Sequence, residues 1–171
     1  MKRIALFTSF TIVALFSLMT YFSACKPDAC VTRNVQCQNN GICREGDCLC
    51  TTGYEGDSCQ FKVNKKFESN YACIRTRLIN DVIVDDNDDT LRVKAKSDKF
   101  GIQFFSIRDS INVVLNGTVN GNYVTIPEMY VMDTVKYWGN GSLNSGVLTL
   151  TVYNSWPTIG SAKTTYVGYK Y

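Results

Sequence analysis

Cys30-Val31-Thr32-Arg33-Asn34-Val35-Gln36-Cys37-Gln38-Asn39-Asn40-Gly41-Ile42-Cys43-Arg44-Glu45-Gly46-Asp47-Cys48-Leu49-Cys50-Thr51-Thr52-Gly53-Tyr54-Glu55-Gly56-Asp57-Ser58-Cys59 holds six of the chain's eight cysteines. The intervals between them are 6, 5, 4, 1 and 8 residues. So short a stretch cannot bury a sufficient apolar core, so cross-links must replace it. In the chain-entropy account each short-loop disulfide contributes roughly 3 kcal/mol. Six cysteines admit about fifteen pairings, and spacing alone does not choose among them. A zinc site is the competing reading. It is disfavoured because the stretch has no Cys-x2-Cys pair and the chain has no histidine.

The spacing, together with Asn40-Gly41-Ile42-Cys43 and the Gly53-Tyr54 and Gly56 turn before Cys59, resembles an EGF-like module. That resemblance implies the pairs Cys30–Cys43, Cys37–Cys48 and Cys50–Cys59. Gly41, Gly53 and Gly56 are expected to supply turn conformations that a β-carbon resists. The calcium cues of calcium-binding EGF modules are missing, so no metal site is carried over.

Disulfides require an oxidising compartment. The N-terminus points the same way. Met1-Lys2-Arg3 is followed by an almost wholly apolar run over residues 4–22 and then Ser23-Ala24-Cys25. This reads as a secretory signal over residues 1–24. Small residues before a cysteine resemble the lipobox of bacterial lipoproteins, although Phe22 stands where that family has an aliphatic residue. The resemblance implies cleavage before Cys25, with lipid on its sulfur and amine. Two alternatives stand beside it: residues 4–22 retained as a membrane span, and a cleaved signal without lipid. Lipidation leaves Cys73 without a partner. Without lipid, Cys25 and Cys73 could bridge. The expectation for Cys73 is a free, buried thiol.

Residues 25–29 are then a short tether that keeps the module over residues 30–60 close to the bilayer. Residues 61–70 read as a solvated linker, whose Lys62, Lys65 and Lys66 could touch anionic headgroups.

From residue 71 to 171 the pattern changes to period two. Leu91, Val93 and Ala95 alternate with Arg92, Lys94 and Lys96, and Leu148, Leu150 and Val152 alternate with Thr149, Thr151 and Tyr153. Such alternation gives strands with one buried and one wet face. Strands are expected at 71–79, 90–97, 101–107, 111–119, 122–127, 130–138, 147–153 and 163–170. Turns are expected at Asp85-Asp86-Asn87-Asp88-Asp89, Asn120-Gly121, Gly139-Asn140-Gly141 and Asn144-Ser145-Gly146. The fold class is therefore mainly β: a disulfide-stapled EGF-like module followed by an antiparallel eight-stranded barrel or sandwich. The arrangement resembles surface lipoproteins of the Bacteroidota that join a lipobox, an EGF-like module and a lipocalin-like β domain. Gly117-Thr118-Val119, Asn122-Tyr123-Val124-Thr125-Ile126-Pro127 and Leu148-Thr149-Leu150-Thr151-Val152-Tyr153 carry the β part of the resemblance.

The net charge is only +3, and Lys2 and Arg3 belong to the signal. Without a basic stripe, nucleic-acid binding has little support. Absent histidine excludes His-based triads and general bases. No nucleophile elbow, phosphate loop or convincing carboxylate pair occurs, so no catalytic residue and no cofactor is expected. Asp85, Asn87 and Asp89 alternate like part of a calcium loop, but Thr90 and Lys96 occupy the positions of the required glycine and glutamate. A solvated turn is the expectation there. Asp89-Thr90-Leu91, Asp109-Ser110-Ile111 and Asp133-Thr134-Val135 resemble the O-glycosylation motif of exported Bacteroidota proteins, which implies sugar on Thr90, Ser110 and Thr134. Trp138, Trp156, Tyr123, Tyr130, Tyr137, Tyr153, Tyr166, Tyr169 and Tyr171 make the domain rich in amphipathic rings, some of which could line a ligand cavity or stack on sugars, although strand pairing and core packing account for most of them.

The expected function is that of an exported, lipid-anchored, non-catalytic protein of the cell envelope, held in the outer membrane and open to the cell surface. The EGF-like module would be a spacer or protein-interaction module, and the β domain would bind a ligand or a protein or glycan partner. The alternatives are a lipocalin-like carrier of an apolar small molecule, which needs an open apolar barrel, and a secreted EGF-type signalling ligand.

Overall fold

The structure, a computed structural model, describes residues 28–106, 113–131, 134–157 and 160–171. The signal segment, Cys25 and Ser110 lie outside the described residues.

The chain begins with a one-turn helix, α1 (Ala29–Thr32), capped by the Asp28 carboxylate, which accepts from the Cys30 amide at 2.9 Å. Two small antiparallel ribbons follow: β1 (Ile42–Arg44) with β2 (Asp47–Leu49), and β3 (Tyr54–Glu55) with β4 (Phe61–Lys62). Disulfides join Cys30 to Cys43, Cys37 to Cys48 and Cys50 to Cys59. Of these cysteines Cys59 is fully buried. Gly53 and Gly56 have φ of +95° and +96°, the left-handed region the turn demands. Gly41 serves differently: a β-carbon there would lie 2.8 Å from Cys59 Sγ, so its role is close approach to the disulfide.

Eight strands then close into an antiparallel up-and-down barrel: β5 (Ser69–Ile79), β6 (Val82–Ala95), β7 (Gly101–Ser106), β8 (Val114–Asn120), β9 (Tyr123–Val131), β10 (Val135–Asn144), β11 (Val147–Trp156) and β12 (Gly160–Lys170). Closure between β12 and β5 leaves no exposed sheet edge. The tightest connections carry positive-φ residues: Asn80-Asp81 at +47° and +64°, Gly121 at +58°, and Ser145-Gly146 at +49° and +82°.

Three expectations are corrected. Residues 85–89 are no turn; they continue β6, and the turn sits at Asn80-Asp81. The acidic run alternates at period two, with Asp85 and Asp89 directed to Arg75 on β5 and Asp86 bonded to Thr76 outside. Gly139-Asn140-Gly141 is not a turn either, but the middle of β10. A β-carbon on Gly141 would lie 2.6 Å from the Thr149 carbonyl oxygen, so the glycines let β10 bend tightly against β11. Finally, residues 61–70 are not a solvated linker throughout. Asn64 and Phe67 are fully buried, and a 3-10 turn over Lys65–Phe67 closes one end of the barrel.

That end is filled. Phe67, Tyr71, Val93, Ile102, Val119 and Leu148 are all at most 2 % exposed. The Tyr71 hydroxyl donates to the Phe67 carbonyl at 2.8 Å, which satisfies the one polar atom its ring brings inside. The EGF-like module packs against the same end. Asn64 Nδ2 donates to the carbonyl of Asp98, on the loop between β6 and β7, at 2.9 Å and to that of Gly101, the first residue of β7, at 2.8 Å. Lys62 donates to the Ser97 carbonyl at 2.6 Å, Lys66 pairs with Glu55 at 2.8 Å, and the Lys99 ammonium lies 4.6 Å from the centre of the Tyr54 ring.

Candidate functional site

Toward the other end, the described residues of the barrel leave an internal cavity. Because side chains alternate along β5, the parity that buries Tyr71 and Cys73 also sends Arg75 and Arg77 inward. They face a cavity of about 350 Å³. Its floor is apolar, formed by Leu91, Phe104, Leu115 and Leu150, while Val152 stands beside Thr164 and Arg77 in the wall. Its upper wall is mixed: Arg77, Trp156, Asn154, Thr164, Tyr137 and Tyr166.

The two arginines are not equivalent. Arg75 is 7 % exposed and forms ion pairs with Asp85 and with Asp89, the latter at 3.6 Å. The side chain of Asp89 is 1 % exposed, so this pair is shielded from water and salt. Asp85 also accepts from Asn87. Arg77 stands directly across from Asp85 in the β5–β6 register, but Asp85 is already engaged by Arg75 and Asn87. The Arg77 guanidinium instead lies 5.8 Å from the centre of the Trp156 ring, and its buried Nε has no hydrogen-bond acceptor among the described residues. A cation with one open donor therefore stands over an apolar floor.

Cys73 lies beneath the arginines as a free, buried thiol. Burial pushes it up to about 11; a hydrogen bond with the Leu91 backbone works against that rise, and the Asp89 carboxylate adds to it. At neutral pH it is a protonated packing group, with none of the thiolate character a nucleophile needs.

The structure brings Trp156, Tyr137 and Tyr166 of the sequence-named rings to the cavity. Trp138 and Tyr153 are elsewhere, stacked on each other at 5.6 Å and 13° across β10 and β11. Tyr123, Tyr130, Tyr169 and Tyr171 are exposed. Thr90 is half-buried beside a shallow outer groove with Ala72, Ile74 and Tyr169, whereas Thr134 is exposed. Among the described residues no cluster of three acidic or cysteine side chains is arranged to hold a metal ion.

Sequence reasoning missed Arg75 and Arg77. The signal that could have found them is their shared parity with Tyr71 and Cys73 in Tyr71-Ala72-Cys73-Ile74-Arg75-Thr76-Arg77. Asp85 and Asp89 offer the matching parity on the next strand.

Residues 34–62 match the family model of the teneurin-like EGF domain. This segment is EGF-like. The match contains five of the six disulfide cysteines and stops before the barrel. No curated protein and no solved structure is similar to the chain.

Proposed function

We propose that this chain is an exported, lipid-anchored, non-catalytic binding protein of the cell envelope. In this reading the barrel takes the ligand in its internal cavity and the EGF-like module is the membrane-proximal spacer. The observation that carries it is the division of the barrel interior. One end is packed solid against the EGF-like module, and the other keeps a cavity with an apolar floor and an inward arginine. A barrel built only for stability would fill both ends, since interiors pack densely and buried charge is costly.

Anchoring rests on Ser23-Ala24-Cys25 following the apolar run of residues 4–22. More than one acyl chain on Cys25 would hold the protein permanently, whereas a single chain is marginal. The short tether then puts the module next to the bilayer and the barrel beyond it. The docked module gives the barrel a fixed orientation on the module, a geometry suited to presenting a site outward.

Labelling with radioactive palmitate tests the anchor. The expected result is incorporation that is lost in Cys25→Ala. An unlabelled protein, or one whose intact mass shows Cys25 bridged to Cys73, would overturn it.

The interior also bears on the alternative of a carrier for a purely apolar molecule. An open space exists, but Arg77, Asn154 and Thr164 line it, so its chemistry is amphipathic.

A further inference from the structure

We infer that the cavity inside the barrel binds an amphipathic monoanion: a carboxylate on an apolar body, its head on Arg77 and its body on Phe104 and Leu115. The inference rests on the binding reading above and names the chemical class of the ligand.

Arg77 decides the head group. Arg77 is half-buried with its Nε out of reach of water, and a buried donor needs an acceptor. Asp85, directly across the ladder, is spent on Arg75 and Asn87. Trp156 offers Arg77 the face of a ring at 5.8 Å, which stabilises a cation but leaves the guanidinium hydrogens free. The buried Nε has no acceptor among the described residues. A planar carboxylate fits the fork of N–H donors that a guanidinium presents.

Among the described residues Arg75 and Arg77 balance Asp85 and Asp89, so a ligand with one negative charge disturbs the balance less than one with two. Arg75 already faces two carboxylates, Asp85 and Asp89. Among the described cavity residues Arg77 is the cation without an ion pair, and a phosphate dianion would meet more repulsion from those acids than a monoanion would. A cation would meet Arg77 directly, and a neutral amphiphile would leave it unpaired.

The floor decides the body. Leu91 and Leu150 join Phe104 and Leu115 below the arginine, Val152 lies level with it in the ladder, and Phe67 and Tyr71 seal the end beyond. A cavity of about 350 Å³ lies at the small end of ligand pockets and suits one acyl chain or a compact ring system.

The chain has two tryptophans, and only Trp156 lines the cavity. In the full-length chain with its disulfides intact, Trp138→Phe leaves Trp156 as the sole indole reporter. Its fluorescence is titrated at neutral pH with dodecanoate, dodecanol and dodecylamine below their aggregation thresholds. The expected result is a saturable change with dodecanoate, with affinity about tenfold or more above the other two. Added Arg77→Gln should bring dodecanoate down to the level of dodecanol, and Arg77→Lys should recover part of the difference. Near-ultraviolet circular dichroism checks that these variants keep the barrel. If Arg77→Gln does not fold, the three-probe series on the unaltered cavity still decides. Equal affinity for the three probes, or preference for dodecylamine, would overturn the inference while leaving a binding barrel in place. No response of Trp156 to any of them would remove the binding reading itself.

Discussion

The side-chain amide of Asn64 donates to the carbonyl oxygen of Gly101 at 2.8 Å and to that of Asp98 at 2.9 Å. Asn64 is fully buried, so these bonds form away from competing water. They tie the segment after the EGF-like module to the β6–β7 loop and the first residue of β7, and with Phe67 beneath them they make two modules into one packed body.

Asn64→Ala should therefore cost about 1–3 kcal/mol, since it strips donors from buried carbonyls. Asn64→Asp should cost more, about 3–5 kcal/mol, because a buried carboxylate would face carbonyl oxygens. Urea unfolding of both variants measures this. Equal costs would mean that the amide donors are not what holds the junction.

Gly168 is the second contact that admits little change. A β-carbon there would fall on the Cys73 thiol, and would lie 2.8 Å from the Ala72 carbonyl oxygen. Gly168→Ala should destabilise by about 1–3 kcal/mol through overpacking. Adding Cys73→Ala should recover part of that loss, with the Ala72 backbone accounting for the remainder. A double-mutant cycle in urea reads the coupling, and simple additivity would show that the thiol is not the obstacle.

Alkaline pH should weaken the fold. Burial raises Cys73 from 9.0 to about 11 and holds Tyr71 well above its ordinary value of 10.0. Each group binds its proton more tightly in the folded chain than in the unfolded one. Stability from this source is fully present below about pH 9 and is lost as pH rises through the folded values. Each group adds a slope of at most about 1.4 kcal/mol per pH unit. Cys73→Ala should remove the thiol's share, most clearly between pH 9 and 11. Denaturant midpoints measured across that range provide the check.

Removing one staple should separate the two modules. The disulfide Cys50–Cys59 closes a loop with a sequence separation of 9, and Cys59 is fully buried. Cys50→Ser with Cys59→Ser should cost the EGF-like module about 2–5 kcal/mol. The barrel has its own core and closed ladder, so it should survive. Limited proteolysis should then cut within residues 30–60 and leave residues 71–171 intact. Loss of the barrel at the same rate would show that its folding depends on the module.

The sequence alone determined the division into two modules. Six cysteines in so short a stretch are a local property of the chain, and so are the period-two runs of β6 and β11. The glycines of β10 misled because their turn signature is also local, while their reason is the approach of β11 from elsewhere in the chain. The acidic run from Asp85 to Asp89 misled likewise: local charge spoke for a solvated turn, and pairing with Arg75 across the ladder overrode it.

Only the tertiary structure decided that the sheet closes, that Asn64 and Phe67 are buried, and that Arg77 keeps an open donor over an apolar floor. Strand propensity and parity are set by neighbours along the chain. Closure, and which charge is left without a partner, depend on residues brought together from distant positions, and no single stretch records them.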